Sequence, residues 1–147
     1  MCRKCSFTVY VIDDIKQILT YNIKIQSNNK IMNVASLWDT GAATTCISKN
    51  VVKTLNLTSN EEVYIDTPSG RSKTKIYEID IILPNEVYLK NIKVYETTIG
   101  DQGFDLLIGM DIISKGDFCV SGVNGVITAS FRYPAQGVTD YMFIGGD

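Results

Sequence analysis

The sequence contains no histidine. That single absence excludes Ser-His-Asp and Cys-His nucleophilic catalysis, zinc sites with imidazole ligands, and any histidine pH switch. Proline is scarce, with 3 residues in 147, and there is no low-complexity stretch, so a disordered or linker-like chain is excluded too. Apolar runs are only a few residues long, far short of the ~20 that a membrane helix needs. Charge of one sign is lacking as well. A net charge of −2 and a pI near 5.1 leave no basic field for nucleic acid or anionic lipid, and neither is expected as a partner. The start, Met1-Cys2-Arg3-Lys4-Cys5, meets Asp13 and Asp14 before a signal-peptide core can form, which points to a soluble, cytoplasmic protein. The cysteines Cys2, Cys5, Cys46 and Cys119 are consistent with reduced thiols. Cys2-x-x-Cys5 has no second pair to complete a zinc site, so neither a metal nor a cofactor is expected.

What the sequence does have is β-branched residues. It holds 19 Ile, 12 Val and 13 Thr, and such side chains favour strands. Tyr21, Ile23 and Ile25 alternate with Asn22, Lys24 and Gln26; Ser27-Asn28-Asn29-Lys30 then reads as a turn into a second strand, Ile31 to Leu37. Val63 and Ile65 alternate with polar neighbours ahead of the turn Thr67-Pro68-Ser69-Gly70. Polar residues from Arg71 to Lys75 follow, then a strand from Ile76 to Leu83. Further strands are expected at Val87 to Leu89, Ile92 to Thr98, Phe104 to Ile108, Phe118 to Ser121 and Val126 to Phe131, with Asn124-Gly125 as a hairpin dipeptide. Ser48 is placed to cap one short helix, and a second is expected from about Asp111 to Lys115, closed by Gly116. The length suits one domain, and the pattern predicts an all-β fold, a small closed barrel with one or two short helices.

The chemistry concentrates at Leu37-Trp38-Asp39-Thr40-Gly41-Ala42. A carboxylate ends a hydrophobic strand between apolar walls, where its pKa is open to tuning, and Gly41 lets the backbone turn tightly. Asp-Thr-Gly is also an ordinary turn, so the segment alone is only suggestive. It is followed by a candidate hairpin with Pro68-Ser69-Gly70 at its tip and then by Leu107-Ile108-Gly109 leading into a helix. This order, from Ile18 to Phe131, resembles the retropepsin-like aspartyl proteases: Asp-Thr-Gly-Ala, a short helix, a flap hairpin, and hydrophobic-hydrophobic-Gly before a C-terminal helix.

The resemblance implies catalytic roles for Asp39, Thr40 and Gly41, with Ala42, Ala43, Thr44, Ile108 and the flap tip Ser69, Gly70 and Arg71 lining the substrate. Thr45 and Ile47 match the hydroxyl and apolar positions after the motif, and Cys46 fills a pocket-wall position. The chain departs from the viral pattern at Ala43 and Thr44, where two acids commonly stand, and at Met110, where arginine is often found. A single Asp-Thr-Gly supplies half of a catalytic dyad, so the resemblance implies a C2 homodimer acting on peptide or protein substrates. The alternative is a peptide-binding or assembly module that does not cut, which the intact Asp39-Thr40-Gly41 disfavours. On this reading residues 1–17 are an N-terminal extension, 18–131 the protease domain, and 132–147 a C-terminal tail with a place in the dimer interface. Trp38 reads first as a strand anchor and second as a pocket wall. Asp111 reads first as a helix cap, with pairing to a partner chain or contact with the active-site loop as the other readings.

Overall fold

Strand-forming residues do organise the chain. The computed structural model describes residues 5–11, 17–59 and 61–144; Cys2 and residues 12–16 of the extension lie outside them. Ten strands are present among the described residues: β1 Ser6–Val11, β2 Leu19–Ser27, β3 Lys30–Trp38, β4 Cys46–Ser48, β5 Glu61–Thr67, β6 Gly70–Leu83, β7 Val87–Thr97, β8 Leu106–Ile108, β9 Asp117–Ser121 and β10 Ile127–Arg132. The short helices are α1 Lys49–Thr54, α2 Met110–Ile113 and α3 Tyr141–Ile144. None of the described helices is long and apolar enough to cross a membrane.

Six strands run in the order β2-β3-β8-β4-β7-β6, and pairing of β2 with β6 closes them into a barrel. The strand β5 pairs only with the first half of β6 and projects from the barrel as a hairpin. The remaining strands form a separate three-stranded sheet, β1-β10-β9. Ile23, Ile25, Ile47, Ile81, Leu83, Leu89, Leu106 and Ile108 fill the barrel and are almost inaccessible to water. Burying each contributes roughly 1.5–3 kcal/mol.

Departures from the expected pattern have local causes. The turn expected at Ser27-Asn28-Asn29-Lys30 is present as a two-residue β2–β3 turn, in which Asn28 and Asn29 both adopt left-handed φ. Just before it, β2 carries a bulge with Asn22 at φ 58°, which reverses the alternation. Tyr21 is therefore exposed, and Thr20 points inward instead. The strand expected from Ile76 begins at Gly70, because the projecting hairpin is wet on both faces and shows no apolar period. The expected strands at 87–89 and 92–98 are one strand, kinked at Lys90–Asn91, where Asn91 N–H donates to Asp80 Oδ1 at 2.8 Å. The second helix starts earlier than expected, at Met110, with Gly109 rather than Asp111 at its N-cap.

Residues 6–11, set apart above as an extension, pair along their whole length with β10, from Ser6–Arg132 to Val11–Ile127. Phe7 and Phe131 from this sheet meet Trp38 from the barrel, with ring centroids 5.8 and 5.0 Å away, and Phe118 stacks on the indole at 5.2 Å. Trp38 is thus an anchor, as first read. Beyond β10 the tail is tied back to β9: Asp117 Oδ2 accepts from Arg132 Nε, from Arg132 Nη2 and from Gln136 N–H. The last described element of the tail is a short helix, with Tyr141, Met142 and Phe143 exposed.

The Gln136 N–H and the Arg132 guanidinium hold the Asp117 carboxyl below its usual range. A depressed folded-state pKa means that this clasp contributes fully above the ordinary carboxylate pKa and is lost as pH falls through the folded value. Melting curves against pH should therefore show the Tm advantage of wild type over Asp117→Asn shrinking across that acid window. Phe131→Ala, which empties the centre of the aromatic cluster, should lower unfolding free energy by about 3–5 kcal/mol in urea titrations.

Candidate active site

The strand β3 runs parallel to β8, with Ser36, Leu37 and Trp38 opposite Leu106, Leu107 and Ile108. The last rung is Asp39 N–H donating to the Ile108 carbonyl at 2.9 Å. Beyond it the chain reverses. Ala42 N–H donates to the Asp39 carbonyl at 3.2 Å, and Gly41 N–H donates to the Asp39 carboxylate Oδ1 at 2.8 Å. A Cβ on Gly41 would stand 3.1 Å from that oxygen, so glycine lets the amide serve the carboxylate without crowding it. Asp39 is half-buried, whereas Thr40 and Gly41 are exposed at the barrel rim.

Two clasps hold the far side of this loop. Ala42 and Ala43 carbonyls accept from Met110 and Asp111 N–H at 2.8 and 3.2 Å. This approach is close enough that a Cβ on Gly109 would lie 2.7 Å from the Thr44 carbonyl oxygen, which explains the glycine. The Thr45 hydroxyl donates to Asp111 Oδ1 at 2.6 Å and accepts from Gly109 N–H at 3.1 Å, while Thr45 N–H donates to Asp111 Oδ2 at 2.8 Å. Asp111 thus binds the active-site loop, one of its sequence readings, rather than capping the helix. The other clasp joins Ser48 to Asp105, hydroxyl to carboxylate at 2.5 Å and amide to carbonyl at 3.0 Å. Ser48 also accepts from Val51 N–H, capping α1 as expected. Nothing in the local sequence pattern pairs Ser48 with Asp105, because the contact spans 57 positions.

The structure gathers Asp39, Thr40, Gly41, Ala42, Ala43 and Thr44 on this one loop, with Ala43 exposed and Ala42 and Thr44 half-buried. Ile108 lies beneath them with its side chain fully buried, so what it offers the site is its carbonyl. Cys46 lies half-buried beside the loop, where burial pushes its thiol up and keeps it neutral. Ser69, Gly70 and Arg71 stand exposed on a different element, the tip of the β5–β6 hairpin. Gly70 has φ 122°, a conformation that favours glycine. The hairpin is braced from outside by Arg71 over the Tyr64 ring at 4.9 Å and by Lys73 on Glu62 at 2.5 Å.

A half-buried rim carboxylate on a loop clasped from both sides is an arrangement suited to acid–base work. Removing the loop clasp with Asp111→Ala leaves Thr45 donors unpaired and should cost about 1–3 kcal/mol of stability by chemical denaturation.

Comparison with known proteins identifies the family and the fold. A family model described as "gag-polyprotein putative aspartyl protease" matches residues 23–115. No curated protein matches the sequence. A retropepsin-like aspartic protease from Rickettsia conorii superposes with a TM-score of 0.56 at 18% identity, covering 86% of this chain and 94% of its own. The EIAV protease, solved with an inhibitor, superposes with a TM-score of 0.51, also at 18% identity, covering 71% of this chain and 92% of its own.

Proposed function

The chain belongs to the gag-polyprotein aspartyl protease family, of retropepsin-like fold, and on that basis we propose that it is an aspartic-type endopeptidase that works as a C2 homodimer. The observation that carries the reading is the presentation of Asp39: a carboxylate at the rim, supported by Gly41 N–H and held by backbone bonds from β8 and α2. One chain supplies one such carboxylate. In the dimer, Asp39 of each copy meets the other at the two-fold axis, and Thr40, whose exposed side chain has no hydrogen bond among the described residues, reaches the partner's loop.

Two carboxylates brought that close share a proton, because ionising both is costly. The ionised member takes a proton from a bound water, which attacks the scissile carbonyl. The protonated member donates to that carbonyl oxygen and the proton then reaches the leaving amine. No covalent intermediate forms. Substrate lies as an extended strand between the loop and the hairpin, with the Gly41 carbonyl and the flap tip Ser69–Arg71 addressing its main chain. Ala42, Ala43, Thr44 and Cys46 leave the nearby walls uncharged, which favours apolar or neutral side chains beside the cut bond. Hinge motion at the β5–β6 hairpin, with Gly70 at its tip, admits the chain.

Cleavage of a diverse peptide library from about pH 4 to 7, read by mass spectrometry, tests this directly. Wild type should cut, and Asp39→Asn should lose more than about 10³-fold while keeping its fold and dimer. A dimeric wild type that binds peptides and cuts none would instead establish a recognition module.

A further inference from the structure

Buried polar side chains are few in this molecule, and they are not scattered. Among the described residues they are Thr20, Ser36, Thr45 and Ser48. Thr45 and Ser48 belong to the clasps already described. Thr20 and Ser36 lie on the other side of the loop, and the proteolytic mechanism as derived makes no use of them. They sit opposite each other on β2 and β3, hydroxyl to hydroxyl at 2.6 Å. The indole Nε1–H of Trp38, two residues along the same face of β3, donates to Thr20 Oγ1 at 3.0 Å. All three residues are at least 94% buried.

An apolar trio would pack this space without taking two hydroxyls out of water. What the hydroxyls add is direction. Phe118 stacked on the indole at an interplanar angle of 8° fixes the ring plane, and the bond to Thr20 fixes its rotation within that plane. The main chain is bound on both sides of the same junction, Trp38 N–H to the Ile18 carbonyl at 3.0 Å and Asp39 N–H to the Ile108 carbonyl at 2.9 Å. The bulge in β2, immediately after Thr20, is what turns that hydroxyl inward to meet the indole.

We propose that Thr20, Ser36 and Trp38 form a positioning triad that sets the orientation of the Asp39 carboxylate for catalysis. The inference rests on the proteolytic reading above. Trp38 is the residue next to Asp39, so a tilt of the indole moves the Asp39 backbone, and displacements on the scale of an ångström at a reacting group cost about 100-fold in rate. The triad acts through the loop and does not touch substrate, so its loss changes turnover and leaves binding alone.

The test uses the full chain with a peptide that wild type cleaves, each variant assayed well below its own Tm. Thr20→Val keeps the shape and removes the hydroxyl. It should lower kcat about 10- to 100-fold with KM unchanged within about threefold. Thr20→Ser, which restores the oxygen, should recover most of the loss, and Trp38→Phe should lower kcat as Thr20→Val does. Trp38 is the only tryptophan, so native-state fluorescence of Thr20→Val reports the altered indole environment directly. Turnover in Thr20→Val equal to wild type, or a loss that Thr20→Ser does not recover, overturns the triad while leaving the protease reading intact. A dimeric wild type that cleaves nothing overturns both. Should Trp38→Phe fail to fold, the two Thr20 variants decide between these outcomes without it.

Discussion

The parallel pairing of β3 with β8 is the constraint on which the rest of the site depends. Strands that pair in parallel end at the same level, so the two segments leaving them emerge side by side on one rim. Here those segments are the loop 39–45 and the start of α2, and their adjacency is why Ala42, Ala43 and Thr45 find Gly109, Met110 and Asp111 within hydrogen-bond reach. The loop is too exposed to be held by apolar burial. It is held by bonds, and most of them run to backbone groups whose position the β3–β8 rungs already set.

The barrel and the projecting hairpin are stabilised by different physics. The barrel has an interior of Ile, Leu and Val with little access to water. The hairpin has no core of its own; a surface ion pair, a cation–π contact and the bond from Thr74 to the Glu96 carbonyl at 2.6 Å brace it. Exposed contacts of that kind are screened by water and add little, so the hairpin belongs to the least stable part of the molecule while its root on β7 belongs to the most stable. On the proposed reading, the segment that opens to admit a chain is thereby separated from the barrel that holds the Asp39 loop.

Much of this was legible in the residues. The β2–β3 turn at Asn28-Asn29, the capping role of Ser48, the Asp39 loop and the Leu107-Ile108-Gly109 stretch are all local signals, and the structure has each where its neighbours put it. Three features were not legible, and for related reasons. The hairpin arm from Gly70 to Lys75 has water on both faces, so it carries no hydrophobic period. The bulge at Asn22 inverts the inside and outside of β2 without altering its composition, hiding Thr20. The strand β1 is bound by a partner more than a hundred residues away, and no local pattern announces such a partner.

That distant partner has a temporal consequence. The strand β1 leaves the ribosome more than a hundred residues before β10, and so long a loop gains its contacts only once β10 has emerged. The barrel can collapse on its own apolar interior earlier, but Phe131 must arrive before the aromatic cage around Trp38 is complete. A strand made after the barrel strands therefore finishes the support beneath Asp39, and a nascent chain carries that residue without the support until β10 has emerged.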